Sequence, residues 1–443
     1  MKKLCRQLFS RLKPLEKAEY TLLLLLAVAV PLHWRVTVVG FVLLLLLSVV
    51  KAIVARRVGN PALSKGQRWA LVAMLAFFAL TLVSGLASEN RSYGLEIAFR
   101  KLSFLFLPLA ALISDTRYLS RLHLRGIFAT LFTTLAGTFL VCAVIASVKM
   151  IGGSSLSEVL DTHFFPTHHT YVALYISVAL SFAYSELLRH LFPSDKVPTL
   201  PLWFLLSGVL CLVLFAMAVN SRAGILAVCL LAVMAVVDIA LLSRQWRTTL
   251  MVFLLLAACG TALYLIEPSN RHRLSSTVKD LNEEYPTDAR VDLNAYGMEV
   301  IQFDMGGGRW LYGLGEGDYL DHIVTRYAFH GYKGGAKERM NTHNQYLDTF
   351  LACGAIGLAI LLLMLLQPLF PLKSLFRLLF RRKGDVTARN ALPQAADLHI
   401  VPLSIFCIML ILATEVMLAR QMGITFIAYT YLLLILWKQK TSV

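Results

Sequence analysis

Residues 21–30 and 36–50 are almost unbroken leucine, valine and alanine, and 360–366 repeats the pattern near the other end of the chain. Apolar runs that recur along 443 residues cannot all be folded into one core with water outside. Composition agrees, with 58% apolar and 15% charged residues and a mean hydropathy of +0.68. A soluble chain of this length needs far more charge to solvate its surface. The chain therefore reads as an all-α polytopic integral membrane protein.

A membrane span takes roughly 20 mostly apolar helical residues. That ruler gives about twelve candidates: 18–33, 36–54, 69–87, 93–114, 126–150, 170–190, 200–219, 223–242, 249–267, 343–367, 400–418 and 421–438. The fourth holds Arg100 and Lys101 inside it. Long cationic side chains snorkel to an interface, which makes 93–101 readable as an amphipathic lead-in. No small-residue cleavage site follows the basic stretch 1–17 and the first apolar run, so no signal peptide is expected.

Basic residues orient the spans, because short cytoplasmic loops are enriched in Lys and Arg. Lys2, Lys3, Arg6, Arg11, Lys13 and Lys17 precede the first span, and Lys51, Arg56, Arg57, Lys65 and Arg68 fill the second loop. Arg117, Arg121, Arg125, Arg189, Lys196, Arg244 and Arg247 continue the series, and Lys373 to Arg389 closes it. All fall on one side of a twelve-span chain. Both termini are then cytoplasmic, with the opposite side periplasmic if this is a Gram-negative inner membrane, and the net charge of +16 is largely this bias rather than a nucleic-acid surface.

The same topology places residues 268–342 outside, between helices nine and ten. The chain divides into nine spans over 1–267, this large periplasmic loop domain, and three spans over 343–443. A connection this long is usually functional or disordered. Trp310, Leu311, Tyr312, Tyr319, Tyr327 and Phe329 give it something to bury, which favours a cap of short helices.

Several chemistries are excluded. The seven cysteines (Cys5, Cys142, Cys211, Cys229, Cys259, Cys353 and Cys407) lie in spans or the amino-terminal tail, with no CxxC pair. There is no HExxH and no Walker loop. Asp318, Asp321 and His322 look like metal ligands on paper, but no second cluster closes a coordination shell, so they read as loop structure. No cofactor and no metal are expected.

The mouth of the tenth span is unusually polar, "NTHNQYLDTFLACGAIGL". Thr342 and Gln345 have capping-box spacing, which puts His343 in the first helical turn. The helix dipole there disfavours imidazolium and favours a nearby anion, so His343 is expected neutral and able to take a proton. The alternative is that His343 and Asn344 are only interfacial caps. Arg222 opens span eight in "NSRAGILA", and Arg290 precedes a helical run in "DARVDLNAYGMEVI". A guanidinium fork matches two phosphate oxygens at once. Against this, Arg222 at a membrane mouth also fits snorkelling to headgroups, and Arg290 fits a loop salt bridge with Asp288 or Asp292. Glu415 and Arg420 flank the last outer turn and are expected to pair with each other. His163, His168 and His169 are open to two readings: they line a substrate path, or His168 and His169 simply cap span six.

Taken in order, "SRAG", "AR", "LYGLGEGDY" and "HNQYLDTFLACGAIGL" resemble the O-antigen ligase and polymerase superfamily of bacterial envelope glycan assembly. The resemblance covers roughly 200–367 by motif and the rest by topology alone. It implies a metal-independent glycosyltransferase whose donor is a glycan on undecaprenyl diphosphate. In the ligase branch the acceptor is a sugar hydroxyl of lipid A–core. Carried over by motif, His343 would activate the acceptor hydroxyl, Arg222 and Arg290 would bind the diphosphate, and Asn344 would position substrate. A further basic residue expected before span eight has no match, since Lys196 falls in a cytoplasmic loop. A polymerase or a protein-glycosylating relative is the alternative within the family. A transporter is the alternative outside it, disfavoured because no inverted repeat or mid-span acidic path is evident.

Overall fold

A computed structural model describes residues 8–10, 12–153, 168–191, 199–219, 221–243, 289–369 and 387–438. Every regular element among them is helical. In chain order these are α1 (Pro14–Leu32), α2 (Trp34–Val54), α3 (Lys65–Ala87), α4 (Arg91–Arg100), α5 (Ser103–Ile113), α6 (Arg121–Ile151), α7 (His169–Leu191), α8 (Leu202–Ala218) and α9 (Arg222–Ser243). Then follow α10 (Ala289–Asp304), α11 (Arg309–Tyr312), α12 (Tyr319–Phe329), α13 (Lys333–Glu338), α14 (Gln345–Leu366), α15 (Thr387–Leu412) and α16 (Gln421–Lys438). The expected ninth span, 249–267, lies outside the described residues, as do His163 and the first part of the large loop.

Five described helices are long and apolar enough to cross a membrane, namely α2, α3, α6, α7 and α14 with its short 3₁₀ extension. Shorter apolar helices within α5, α8, α9, α15 and α16 pack among them. On α2, Val36, Val39, Leu43, Leu46, Val50 and Ile53 are all exposed, a surface that only lipid can cover at low cost. By contrast α7 is buried along almost its whole length, and α16 is buried from Ile424 to Trp437. These two form the centre, with α15 against α7.

Two helices break where the sequence predicts continuous spans. The segment 93–114 divides at Lys101 and Leu102 into α4 and α5, at the charges that marked it as irregular. Lys101 stays buried because its ammonium donates to Glu316 at 2.6 Å. The second break, at Gly354 of α14, has no charge to announce it. Its φ of 64° is left-handed, and a methyl group there would lie 2.4 Å from the Leu311 backbone. The carbonyls of Leu351 and Ala352, freed by the break, accept from the amides of Leu314 and Gly315 at 2.8 and 3.0 Å. Irregular backbone at this depth persists only because protein satisfies it.

Some basic residues that orient the chain do more than face a loop. Lys51 is ion-paired with buried Glu19, and Arg125 with fully buried Glu186, which Arg189 also approaches at 3.2 Å.

In the large loop, α10, α12 and α13 enclose a small core of Leu293, Val300, Ile323 and Tyr327 that continues onto Leu351 and Ala352 of α14. Tyr319 and Tyr327 are buried as expected. Burial holds both phenols well above the usual tyrosine range. Trp310, Leu311, Tyr312 and Phe329, expected inside, are exposed. Asp318, Asp321 and His322 each have separate protein partners. Asp318 accepts from the amides of Glu89 and Asn90, Asp321 from Arg339, and His322 meets Asp304.

Candidate active site

The N-cap of α14 is Asn344, not Thr342. Its φ and ψ of −140° and 107° are extended, and its Oδ1 accepts from the amides of Tyr346 and Leu347 at 3.1 and 3.3 Å. An asparagine oxygen can satisfy these orphan donors, so the cap falls where the local hydrogen bonds are best. Thr342 is instead drawn down to Asp348. His343 therefore lies before the helix rather than in its first turn, and its φ of 53° is left-handed. A non-glycine residue there is uncommon and is held by its surroundings. The amide of His343 donates to Asn341 Oδ1 at 3.1 Å, which pins the turn from its other side.

Glu415 sits in the turn between α15 and α16. Its Oε1 lies 2.9 Å from Nδ1 of His343, with side-chain exposures of 7% and 26%. The contact is an ion-pair distance whose angle is off-line for a hydrogen bond. No ion pair joins Glu415 to Arg420 among the described residues, and Arg420 is exposed. The reason is geometric. The turn containing Met417–Ala419 directs Glu415 inward, across the bundle, while Arg420 remains at the rim.

Two helix starts converge on this point. The first turns of α14 meet α10 at Gly297, where a methyl group would lie 2.8 Å from Leu347 and 3.0 Å from Thr342. Glycine is required for that approach, which brings α10, with Arg290 in its first turn, against the turn that carries His343. Arg222 opens α9, whose Gly224 packs against Ala173 of α7. On α7, Tyr171 packs in turn against Gly423, next to the Met417 carbonyl. The backbones bearing Arg222, Arg290, His343 and Asn344 thus share one end of the bundle with Glu415. His168 and His169 stand at the start of α7 on the same end, with ring centroids 4.0 Å apart.

A small cavity of about 40 Å³ is lined by Tyr93, Arg100, Glu316, Gln345 and Thr349 together with Val416 and Leu418, the chain neighbours of the pair. No group of three or more metal-type ligands occurs among the described residues.

What this arrangement can do is accept a proton at a part-exposed imidazole whose Nδ1 lies 2.9 Å from a buried carboxylate. That is the layout of a general base with an orienting acid. Glu415 was missed as a partner because it is far from His343 in sequence, and its nearest opposite charge along the chain, Arg420, offered a simpler pairing.

No curated protein is similar enough to the chain to count as a match. Residues 207–362 match the family model described as O-antigen ligase, a stretch that runs from α8 into α14 and contains Arg222, Arg290, His343 and Asn344, and the match supports the resemblance to the O-antigen ligase superfamily.

Proposed function

We propose that the protein is an O-antigen ligase, transferring a glycan from undecaprenyl diphosphate to a sugar hydroxyl of lipid A–core at the periplasmic face of the inner membrane. The observation that carries this is His343, held in a left-handed turn 2.9 Å from the buried carboxylate of Glu415. In the reaction the acceptor oxygen bonds to the anomeric carbon as the bond from that carbon to the diphosphate oxygen breaks. The hydroxyl proton passes to the imidazole of His343, and Glu415 stabilises the imidazolium. Diphosphate leaves with its charge unprotonated, so it needs cations more than an acid. Arg222 and Arg290 supply them. Asn344, its oxygen used as a helix cap, keeps its amide N–H groups for positioning a substrate. Attack from the face opposite the leaving group inverts the anomeric centre, and no metal takes part. A polymerase or a protein O-oligosaccharyltransferase would use the same base and the same arginines on another acceptor.

The test is reconstitution in nanodiscs with undecaprenyl-diphosphate glycan and lipid A–core, in chelator and without ATP. Glycan on lipid A–core, lost in His343→Ala by about 10²-fold or more, supports the ligase reading, given the usual worth of a general base. Longer lipid-linked glycan with an untouched core makes it a polymerase. Undiminished transfer by His343→Ala removes the histidine from the chemistry.

A further inference from the structure

The proposed base and its carboxylate come from two segments far apart in the chain, and neither segment is a regular element at that point. Something must set their separation. Gln345 and Asp348 stand one turn apart at the start of α14, both buried, and each holds one of the two segments.

Asp348 holds the histidine turn. Its Oδ1 accepts from the Thr342 amide at 3.2 Å and from the Thr342 hydroxyl at 2.5 Å. Its Oδ2 accepts from the Tyr319 hydroxyl at 3.1 Å, so the large loop contributes to the same clamp. Thr342 immediately precedes His343, and a residue at left-handed φ keeps its direction only if its neighbours are fixed. Gln345 holds the glutamate turn. Its Oε1 accepts from the Leu418 amide at 2.7 Å, in the 3₁₀ turn just after Glu415. The Leu418 N–H can only donate, which settles the amide's orientation and leaves its Nε2 to donate to the Thr349 hydroxyl at 3.1 Å.

We infer that Gln345 and Asp348 are positioning residues that set the His343–Glu415 geometry from one rigid helical turn, Gln345 through the Leu418 amide and Asp348 through Thr342, with Tyr319 backing Asp348. This rests on the reading of His343 as base. A helix turn is stiff, whereas the two irregular segments it grips are not. The pair's spacing is therefore inherited from the i, i+3 separation of two side chains on α14. Neither role requires contact with substrate.

The experiment compares initial rates of Gln345→Met and Asp348→Leu with those of Gln345→Glu and Asp348→Asn in nanodiscs, using the lipid-linked glycan at varied concentration. The conservative pair retains an acceptor oxygen for Leu418 and for Thr342. Misplacing a catalytic group by an ångström costs about 10²-fold, so the apolar pair should lose roughly ten- to a hundred-fold in kcat. The donor KM should stay within about two-fold, since uniform binding is untouched. The conservative pair should recover most of the rate. A loss confined to KM, or an equal loss in the conservative pair, would overturn the proposal. Should an apolar variant fail to fold, Thr342→Val removes only the hydroxyl that Asp348 grips. It should still lower kcat several-fold at unchanged KM, and a wild-type rate would sink the idea. His343→Ala runs beside them. If it is as active as wild type, the base reading itself has failed and this proposal with it. If it is inactive while Gln345→Met, Asp348→Leu and Thr342→Val keep full rates, only the positioning inference falls.

Discussion

His343 combines a left-handed backbone with a side chain directed at a buried carboxylate, and both features are unfavourable for a residue that only caps a helix. The strain is local, and it is offset by the hydrogen bonds of Asn341 and Thr342, the two residues before it. Glu415 is the residue on which this assignment turns next. Replacing it by glutamine keeps its shape and removes the charge that stabilises imidazolium. Glu415→Gln should therefore lower kcat by roughly 10²-fold, within the range that general base catalysis supplies. Steady-state rates at saturating donor measure it, and full activity would show that the ion pair has no part in turnover. The identity of His343 as a candidate was legible from "HN" at a helix mouth. Its position relative to the cap was not, because Thr342 and Asn344 are both good N-caps, and Thr342 is drawn instead to Asp348, whose carboxylate Tyr319 of the large loop fixes from the other side.

At the scale of elements, the broken helix α14 is the feature that a hydropathy reading cannot see. Residues 343–367 scan as one apolar span, and Gly354 and Gly357 suggest close packing with a neighbour. Gly354 does permit close approach, but to the Leu311 backbone of the large loop, and it does so by leaving the helix. At Gly357 the atoms an added methyl would meet belong to Cys353 and Thr349 of the same helix. An alanine at 354 would face both left-handed strain and overpacking, each worth about 1–3 kcal/mol. Gly354→Ala should accordingly destabilise the protein by about 2–6 kcal/mol, seen as a lower thermal midpoint in detergent. Gly357→Ala is the comparison, at a helical φ. An unchanged midpoint for Gly354→Ala would mean the break is not required. The other break, at Lys101, was legible because a cation inside an apolar run needs a partner. Which partner it finds, Glu316 from the large loop, was not.

Across the whole molecule, two side-chain ties measure the apolar slab. Gln367 donates to the Gly66 carbonyl at one end of α3, and Ser84 to the Ala352 carbonyl near the other. At 1.5 Å per residue, Gly66 and Ser84 are about 27 Å apart along the helix. A bilayer hydrocarbon core is about 30 Å thick, so with Gly66 at one boundary Ala352 should stand close to the other, and the start of α14 beyond it. The exposed Trp310, Leu311 and Tyr312 sit on that level, packed through their backbone on the break at Gly354. Tryptophan and tyrosine favour this interface. With the other five tryptophans replaced by phenylalanine, Trp310 fluorescence should be quenched by brominated lipids in nanodiscs more than by aqueous iodide. Preferential iodide quenching would place α11 in water instead.

Periodicity and composition alone determined that the chain is helical and membrane-bound, and the order of its motifs pointed to the family. Those properties follow from each residue's own cost of transfer from water, which is additive along a sequence. The tertiary structure alone decided that Glu415 faces His343, that Lys101 meets Glu316, and that Gly354 is a break. Each of these depends on segments distant in sequence meeting at one end of the bundle, where a buried charge or a freed carbonyl is stable only with the one partner that packing brings within reach.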